Sequence, residues 1–367
     1  MCAIAGLFAY PGAPEEQRGV LSRMIATLAH RGPDGHGVFV DGPCGLAHAR
    51  LSIIDLATGA QPMSSADRAL TVSFNGEIFN YRELREDLIA KGHVFRTTSD
   101  TEVILEAYRA WGPDCVTRFN GDFAFALWDA AAGRLMLARD RMGVRPLFYA
   151  DRGAMLAFAS EMKALFEAPG IAPELDFIAL DQIFTTWAPI APRTGFEGIL
   201  ELPPGHLMLV TATGRAVRPY WRLDYPDAAD APPIAEKAAA EQLRALLADA
   251  TRIRLRADVP VGAYLSGGLD SCVVAALARG EISERLKTYS VTFEDAAFDE
   301  SAFQHLMSRS LGTNHLSVSC SASAIGSALP VIVAHAERPI LRTAPAPLFL
   351  LSDAVREDGL KVVLTGE

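Results

Sequence analysis

The sequence has only five cysteines, Cys2, Cys44, Cys115, Cys272 and Cys320, odd in number, far apart and without a C-x-x-C pair. That spacing excludes a disulfide-stapled scaffold and the common structural zinc sites, and it fits a reducing cytoplasm. Basic residues are in the minority, 34 against 44 acidic ones, for a formal net charge of -10. No global basic field draws a phosphate backbone or an anionic lipid surface, so neither nucleic acid nor a membrane is expected as a partner. No leader is expected either: the apolar opening over 2–10 has no basic start and no small-residue cleavage site, and Pro11 ends it far short of a membrane span. The longest uncharged stretch, 316–334, is broken by Ser317, Ser319, Ser321, Ser323, Gly326, Ser327 and Pro330, too polar for lipid. Internal repeats are absent.

What is present is apolar material in quantity. At 50% hydrophobic residues over 367 positions, the chain has enough to bury two or three cores. Short strand-like runs between turn residues fill the first part, at 3–10, 45–54, 70–74, 123–128, 134–138, 146–150, 155–160 and 206–211. Helical periodicity marks 15–29, 81–91 and 101–111. This mixture predicts a layered α+β domain over 1–222. A proline- and aspartate-rich connector follows, set at 223–237. Helices at 236–256, 271–279, 300–311 and 347–357 then alternate with strands at 259–265, 288–293 and 361–364, which predicts an α/β domain with a parallel sheet from 238 to 367. The last strand runs straight into Thr365, Gly366 and Glu367, where such domains place a ligand-binding loop. The second domain is therefore expected to be incomplete.

Cys2 is the most informative residue. Removal of Met1 would give it a free α-amine beside its thiol, and such an amine, with an ordinary pKa of about 7.7–8.0, can act as base for its own side chain. The competing reading is a small buried hydrophobe in a first strand. Around it the sequence offers polar clusters that core packing does not explain: the run from His30 to Gly35, Arg50, and Asn75-Gly76-Glu77 after a strand ending at Phe74. The Asn75 amide and the Gly76 N–H can supply an oxyanion hole. Arg50 offers a fork for an α-carboxylate, and Glu77 and Asp100 offer carboxylates for an α-ammonium. Those are the requirements of glutamine. Each also has a plainer reading: Asn75-Gly76 as a hairpin turn, Arg50 as a surface ion pair, Asp100 as a helix cap.

In joint order, Met1-Cys2-Ala3-Ile4-Ala5-Gly6, the His30–Gly35 run, the stretches at 50–55, 75–81 and 99–102, and the run at 138–149 resemble glutamine-hydrolysing asparagine synthetases, whose amino-terminal part is a class II glutamine amidotransferase. The resemblance covers most of the first 210 or so residues. It implies an N-terminal-nucleophile hydrolase, a four-layer αββα sandwich, with Cys2 as nucleophile, Asn75 and Gly76 as the oxyanion hole, and Arg50, Glu77 and Asp100 holding glutamine. Asp140 and Arg141 are expected to be structural or interdomain residues.

Farther on, Ser266-Gly267-Gly268-Leu269-Asp270-Ser271 lies between a predicted strand and helix, a loop whose N–H groups and hydroxyls suit a diphosphate. The Gly-Lys-Ser/Thr ending of the common phosphate loop is absent. With the preceding 258–265, this string resembles the pyrophosphate loop of the same synthetases, which use ATP to adenylate a carboxylate and release pyrophosphate. That resemblance implies pyrophosphate contacts from Ser266, Gly267, Gly268 and Ser271, adenine against Leu265 and Val291, Mg2+ on Asp270, Thr365 and Gly366 at the nucleotide, and Glu367 beside the acyl-adenylate as a base that deprotonates ammonia. Asp270 as a helix cap stays open. Arginines at Arg338 and Arg342 stand where many asparagine-forming members are acidic or polar, which could change the acceptor.

The reading that results is a glutamine- and ATP-dependent amide ligase: an incomplete ATP-pyrophosphatase domain follows the glutaminase, and the substrates are glutamine, ATP and aspartate or another carboxylate. A glutaminase acting alone and a noncatalytic nucleotide-sensing or partner-binding scaffold are the alternatives. A homodimer stays open.

Overall fold

The computed structural model describes residues 1–153, 155–227 and 234–366. The chain divides into two compact units, Met1–Leu223 and Asp224–Glu367. Of the expected connector at 223–237, residues 228–233 lie outside the described residues, and the helix Glu236–Arg254 begins within its range.

The first unit holds two six-stranded antiparallel sheets. One runs, in spatial order, Ile199–Glu201, Phe148–Arg152, Met155–Ala159, Ala3–Phe8, Cys44–Arg50 and Gly35–Asp41. The other runs Gly214–Pro219, His206–Thr211, Arg134–Arg139, Gly121–Asp129, Leu70–Ile78 and Met63–Ser64.

Side-chain alternation explains the stacking. In Gly121–Asp129, Phe123, Phe125 and Leu127 face a core shared with the helices Tyr81–Ala90 and Asp100–Trp111. Ala124, Ala126 and Trp128 face the other way, into a core between the two sheets that includes Ile4, Phe8 and Leu46. Ala3, Ala5 and Leu7 turn outward onto Val20, Leu21, Met24 and Ile25 of the helix Pro14–Ala26. Three cores between four layers make the αββα sandwich expected from the sequence. Burial on both faces also explains why the opening strand reads as a continuous apolar run rather than an alternating one. Within it Gly6 takes the inward position where Phe158 lies, and a Cβ there would come 2.0 Å from the Phe158 ring.

The second unit has a parallel sheet in the order Asn314–Cys320, Lys287–Phe293, Val261–Tyr264, Val362–Leu364. The chain leaves Val261–Tyr264 in one direction to build two strands and returns to its other side for the last. That reversal is the switch point at which open α/β sheets hold ligands, beyond the carboxyl ends of the strands.

Candidate active site

Cys2 sits one residue before the strand Ala3–Phe8 rather than inside the apolar core. Its Sγ lies 3.3 Å from the Leu51 N–H nitrogen and 3.5 Å from the Leu51 carbonyl oxygen. Arg31 Nε donates to the Cys2 carbonyl at 3.0 Å, and Arg31 Nη1 donates to Glu161 at 2.7 Å. Burial alone would raise the Glu161 pKa, but hydrogen bonds from His30, Lys163 and Arg31 outweigh it and hold the carboxylate below its usual range. Burial pushes the Cys2 thiol up, opposed by the Leu51 N–H. Burial, aided by the Arg31 charge, pushes the Met1 α-amine down to about 6.

Asn75 and Gly76 lie within the strand Leu70–Ile78, which continues past Phe74 because its pairing with Gly121–Asp129 runs on to Ile78↔Gly121. The expected strand end at Phe74 and the hairpin-turn reading of Asn75-Gly76 are both corrected by that ladder. Gly76 has φ 151°, and a Cβ on it would lie 2.0 Å from the Asp122 carbonyl oxygen, so no other residue fits. Asn75 is buried, yet neither its Oδ1 nor its Nδ2 has a hydrogen-bond partner. An orphaned carboxamide of this kind costs roughly 1–3 kcal/mol, which a ligand group in the cleft would offset.

Arg50 closes the strand Cys44–Arg50, and its guanidinium donates to the carbonyls of Ile54 at 3.5 Å, Asp55 at 2.5 Å and Leu56 at 3.4 Å. This loop is braced by the Asp55 carboxylate, which accepts from Thr58 N–H at 2.8 Å and from Thr98 N–H at 2.8 Å. Those bonds overcome burial and bring the Asp55 pKa down to about 2. Asp100 is the first residue of its helix, and Ser99 is the cap, its side chain accepting from Thr101 N–H. The capping reading of Asp100 is thus displaced. Its own carboxylate accepts from Ile78 N–H at 3.1 Å, and burial raises its pKa to about 6.

Cys2, Arg50, Asn75, Gly76, Glu77 and Asp100 all line one cleft of about 40 Å³, together with Met1. Gln61 and Arg145 line it too and were not singled out from the sequence. Asp140 accepts from the N–H groups of Phe123, Met142, Val144 and Arg145 at 2.9–3.2 Å, which makes it the organiser of the loop carrying Arg145.

In the second unit a cavity of about 390 Å³ opens at the switch point, lined by Leu265, Ser266, Gly268, Asp270, Ser271, Val291, Thr365 and Gly366. Gly267 does not line it but shapes the loop, with φ 89°. The loop is curled on itself: Ser271 Oγ lies 2.9 Å from Ser266 Oγ and 3.2 Å from the Ser266 nitrogen. Gly268, not Asp270, is the N-cap of the helix Leu269–Glu281, and Asp270 is an exposed carboxylate in its first turn. Gly366 packs against that turn so closely that a Cβ would lie 2.5 Å from the Ser271 nitrogen. Gln304, unremarked in the sequence, ties loop to sheet by donating to the carbonyls of Val291 at 3.0 Å and Ser266 at 3.3 Å. Glu367 lies outside the described residues.

Comparison with known proteins matches each unit to a family. Residues 1–221 match the glutamine amidotransferase domain family, and residues 242–367 match the asparagine synthase family. The glutamine-hydrolyzing asparagine synthetase 3 of Bacillus subtilis is 37% identical over 86% of this chain and 53% of its own length. Asparagine synthetase 1 of the same organism is 34% identical over 100% of this chain and 57% of its own. The amidase chyE of Penicillium rubens is 34% identical over 100% of this chain and 58% of its own. A solved Bacillus subtilis glutamine phosphoribosylpyrophosphate amidotransferase superposes with a TM-score of 0.45 at 17% identity, covering 98% of this chain and 71% of that one. The chain spans somewhat over half the length of these curated relatives. No helix among the described residues is long and apolar enough to cross a membrane. With residues 1–221 matched, the chain belongs to the glutamine amidotransferase domain family, and its remaining part is similar to the asparagine synthase domain of glutamine-hydrolysing asparagine synthetases.

Proposed function

We propose that the first unit, with its domain at 1–222, hydrolyses glutamine to glutamate and ammonia, and that the second, from 238 to 367, belongs to an ATP-dependent amide synthetase. The observation that carries the first half is the orphaned Asn75 carboxamide, facing the same cleft as Cys2, Gly76 and the three charged residues. Once Met1 is removed, the Cys2 α-amine takes the thiol proton and Sγ attacks the γ-carboxamide carbon. The Asn75 amide and Gly76 N–H hold the oxygen as it becomes negative, the amine returns the proton to departing ammonia, and water cleaves the thioester. The Met1 amine, just ahead of Cys2, is pushed down by burial and the Arg31 charge, and the same two causes would favour a neutral Cys2 amine. Arg50 takes the α-carboxylate of glutamine, and Glu77 and Asp100 take its α-ammonium.

In the second unit the glycine loop suits a diphosphate: Gly267 at positive φ, packed on Phe303 and Gln304, and Gly366, in close contact with the Ser271 nitrogen, fold it tightly at the N-terminus of the helix Leu269–Glu281. ATP would set its phosphates against Ser266, Gly268 and Ser271, on the loop that Gly267 shapes, and its adenine against Leu265 and Val291. Asp270 is suited to Mg2+, which is held by one or two carboxylates plus substrate phosphates and offsets phosphate charge when bound. Transfer of AMP from ATP to a carboxylate then releases pyrophosphate and gives an acyl-adenylate that ammonia attacks, forming the amide and releasing AMP, with Thr365 and Gly366 beside the nucleotide. Aspartate is the default acceptor. Similarity to an amidase over the whole chain, and the exposed Arg338 and Arg342, favour a second reading in which another carboxylate is amidated. A cytoplasmic location is proposed with it, supported by the wide spacing of the five cysteines.

The test is glutamate release from glutamine by the purified chain, its N-terminal mass checked in the same sample. Cys2→Ala abolishes release and Asp270→Ala retains it; hydrolysis surviving Cys2→Ala would remove the nucleophile assignment.

A further inference from the structure

The strand that carries Asn75 and Gly76 is paired unequally on its two sides. Gly121–Asp129 pairs with it from Leu70 to Ile78, whereas on the other edge Met63–Ser64 reaches only Thr71 and Val72. Past Val72 that edge is closed by side chains. Gln61 Oε1 accepts from the Phe74 N–H at 2.7 Å, and His48 Nε2 lies 3.0 Å from the Phe74 carbonyl oxygen. A third bond of the same kind, Ser73 Oγ to the Ala47 carbonyl at 3.0 Å, ties this strand to Cys44–Arg50 in the other sheet.

We propose that His48 and Gln61 are positioning residues for the oxyanion hole, acting on Asn75 and Gly76 through the backbone of Phe74. The inference rests on the glutaminase reading above. The Phe74 carbonyl belongs to the same planar peptide group as the Asn75 N–H, so holding one fixes the plane of the other. Asn75 needs that support, because its carboxamide has no hydrogen bond of its own to set its direction. A carbonyl oxygen only accepts, so His48 carries its proton on Nε2. His48 is fully buried and its Nδ1 has no partner, which suits a bare lone pair and not a second N–H. Burial keeps the ring neutral, its pKa pushed down to about 3, so the bond persists over the whole working pH range. Phe74 and Gln61 themselves line the cleft.

An interaction that aims the oxyanion donors matters only as charge develops on the substrate oxygen, so its loss falls on kcat and spares KM. Removing such a donor outright costs about 10²–10³ in kcat, and misaiming it costs less. Three variants of the 367-residue chain, with Met1 removed, test this. His48→Leu and Gln61→Met are expected to lower kcat for glutamate release about tenfold or more, with KM within about twofold. His48→Gln, whose amide places an N–H near the former Nε2, is expected to recover most of the loss. Unchanged kcat in both of the first two, a loss carried by KM, or no recovery in His48→Gln overturns the inference while leaving the glutaminase reading intact. If His48→Leu does not fold, Gln61→Met decides alone. An unsubstituted chain that releases no more glutamate than Cys2→Ala overturns both.

Discussion

The Arg31 guanidinium bridges the Cys2 carbonyl oxygen, at 3.0 Å, to the Glu161 carboxylate, at 2.7 Å, so the backbone of the nucleophile is anchored from across the sheet. Both side chains are nearly buried, at 10% and 9% exposure. Breaking a buried pair from one side leaves an uncompensated charge, at a cost of about 3–5 kcal/mol. Glu161→Gln is therefore expected to lower the unfolding free energy, read from the urea midpoint and slope, by an amount of that order, and Arg31→Lys, which offers a single point where two directed donors are needed, to cut kcat/KM about tenfold or more. Wild-type urea midpoint and kcat/KM in both variants would show the anchor to be idle.

Asp100 joins binding to stability with opposite signs. Burial raises its pKa from 3.8 to about 6, so the folded protein carries a destabilising charge at any pH above that range and none below about pH 4. Asp100→Asn keeps an oxygen for the Ile78 N–H and discards the charge. It is expected to raise Tm at pH 8, leave Tm at pH 4 nearly unchanged, and raise KM for glutamine about tenfold or more by removing a partner of the α-ammonium. In the unsubstituted chain KM should climb as pH falls through 6. A variant that binds glutamine normally, or that gains no stability at pH 8, would contradict this.

The six chemistry-bearing residues of the first unit were legible because each keeps its function in its own side chain or in its lack of one: Cys2, Arg50, Asn75, Gly76, Glu77 and Asp100 all reach one cleft. His48 and Gln61 were not, because they act through another residue's backbone, and a one-dimensional pattern does not show which peptide group a side chain will meet. The strand through Asn75 was cut short at Phe74 for a related reason. Asn-Gly reads locally as a turn, and only the long-range ladder to Gly121–Asp129 overrides it. In the second unit the helix Ala322–Ala336 was hidden by Ser323, Gly326 and an internal Pro330, all poor helix signals. Alternating strands and helices nevertheless put the phosphate loop between a strand and a helix, as it is between Val261–Tyr264 and Leu269–Glu281, whereas the switch point there needs the sheet order.

Gly76→Ala tests the backbone half of the oxyanion hole. Its Cβ would meet the Asp122 carbonyl oxygen at 2.0 Å and the Phe123 Cα at 2.7 Å, both backbone atoms of a fully paired central strand that cannot turn aside. The strand must separate locally, and φ 151° is unfavourable for alanine besides. A loss of roughly 2 kcal/mol or more, with glutamate release abolished, is expected from denaturant titration and assay of the same sample. Asn75→Ala makes the useful contrast: it removes a carboxamide that has no hydrogen bond, so stability should hold or rise while kcat falls about 10²–10³.

The last comparison concerns two glycines of the nucleotide cavity. At Gly366 a Cβ would lie 2.5 Å from the Ser271 nitrogen and 2.7 Å from the Asp270 carbonyl carbon, so the terminal segment and the first turn of Leu269–Glu281 would have to part. At Gly268 the nearest atom is the Ser266 hydroxyl at 3.3 Å, a side chain that can rotate away, and its φ of -72° is ordinary for alanine. Gly366→Ala is therefore expected to weaken ATP binding about tenfold or more, measured calorimetrically with Mg2+ present, and Gly268→Ala to weaken it by less. Glutamate release tests whether either effect spreads beyond the second unit. Equal losses at the two positions would mean that the cavity wall is set by the loop alone, and that the close approach of Gly366 contributes nothing to nucleotide binding.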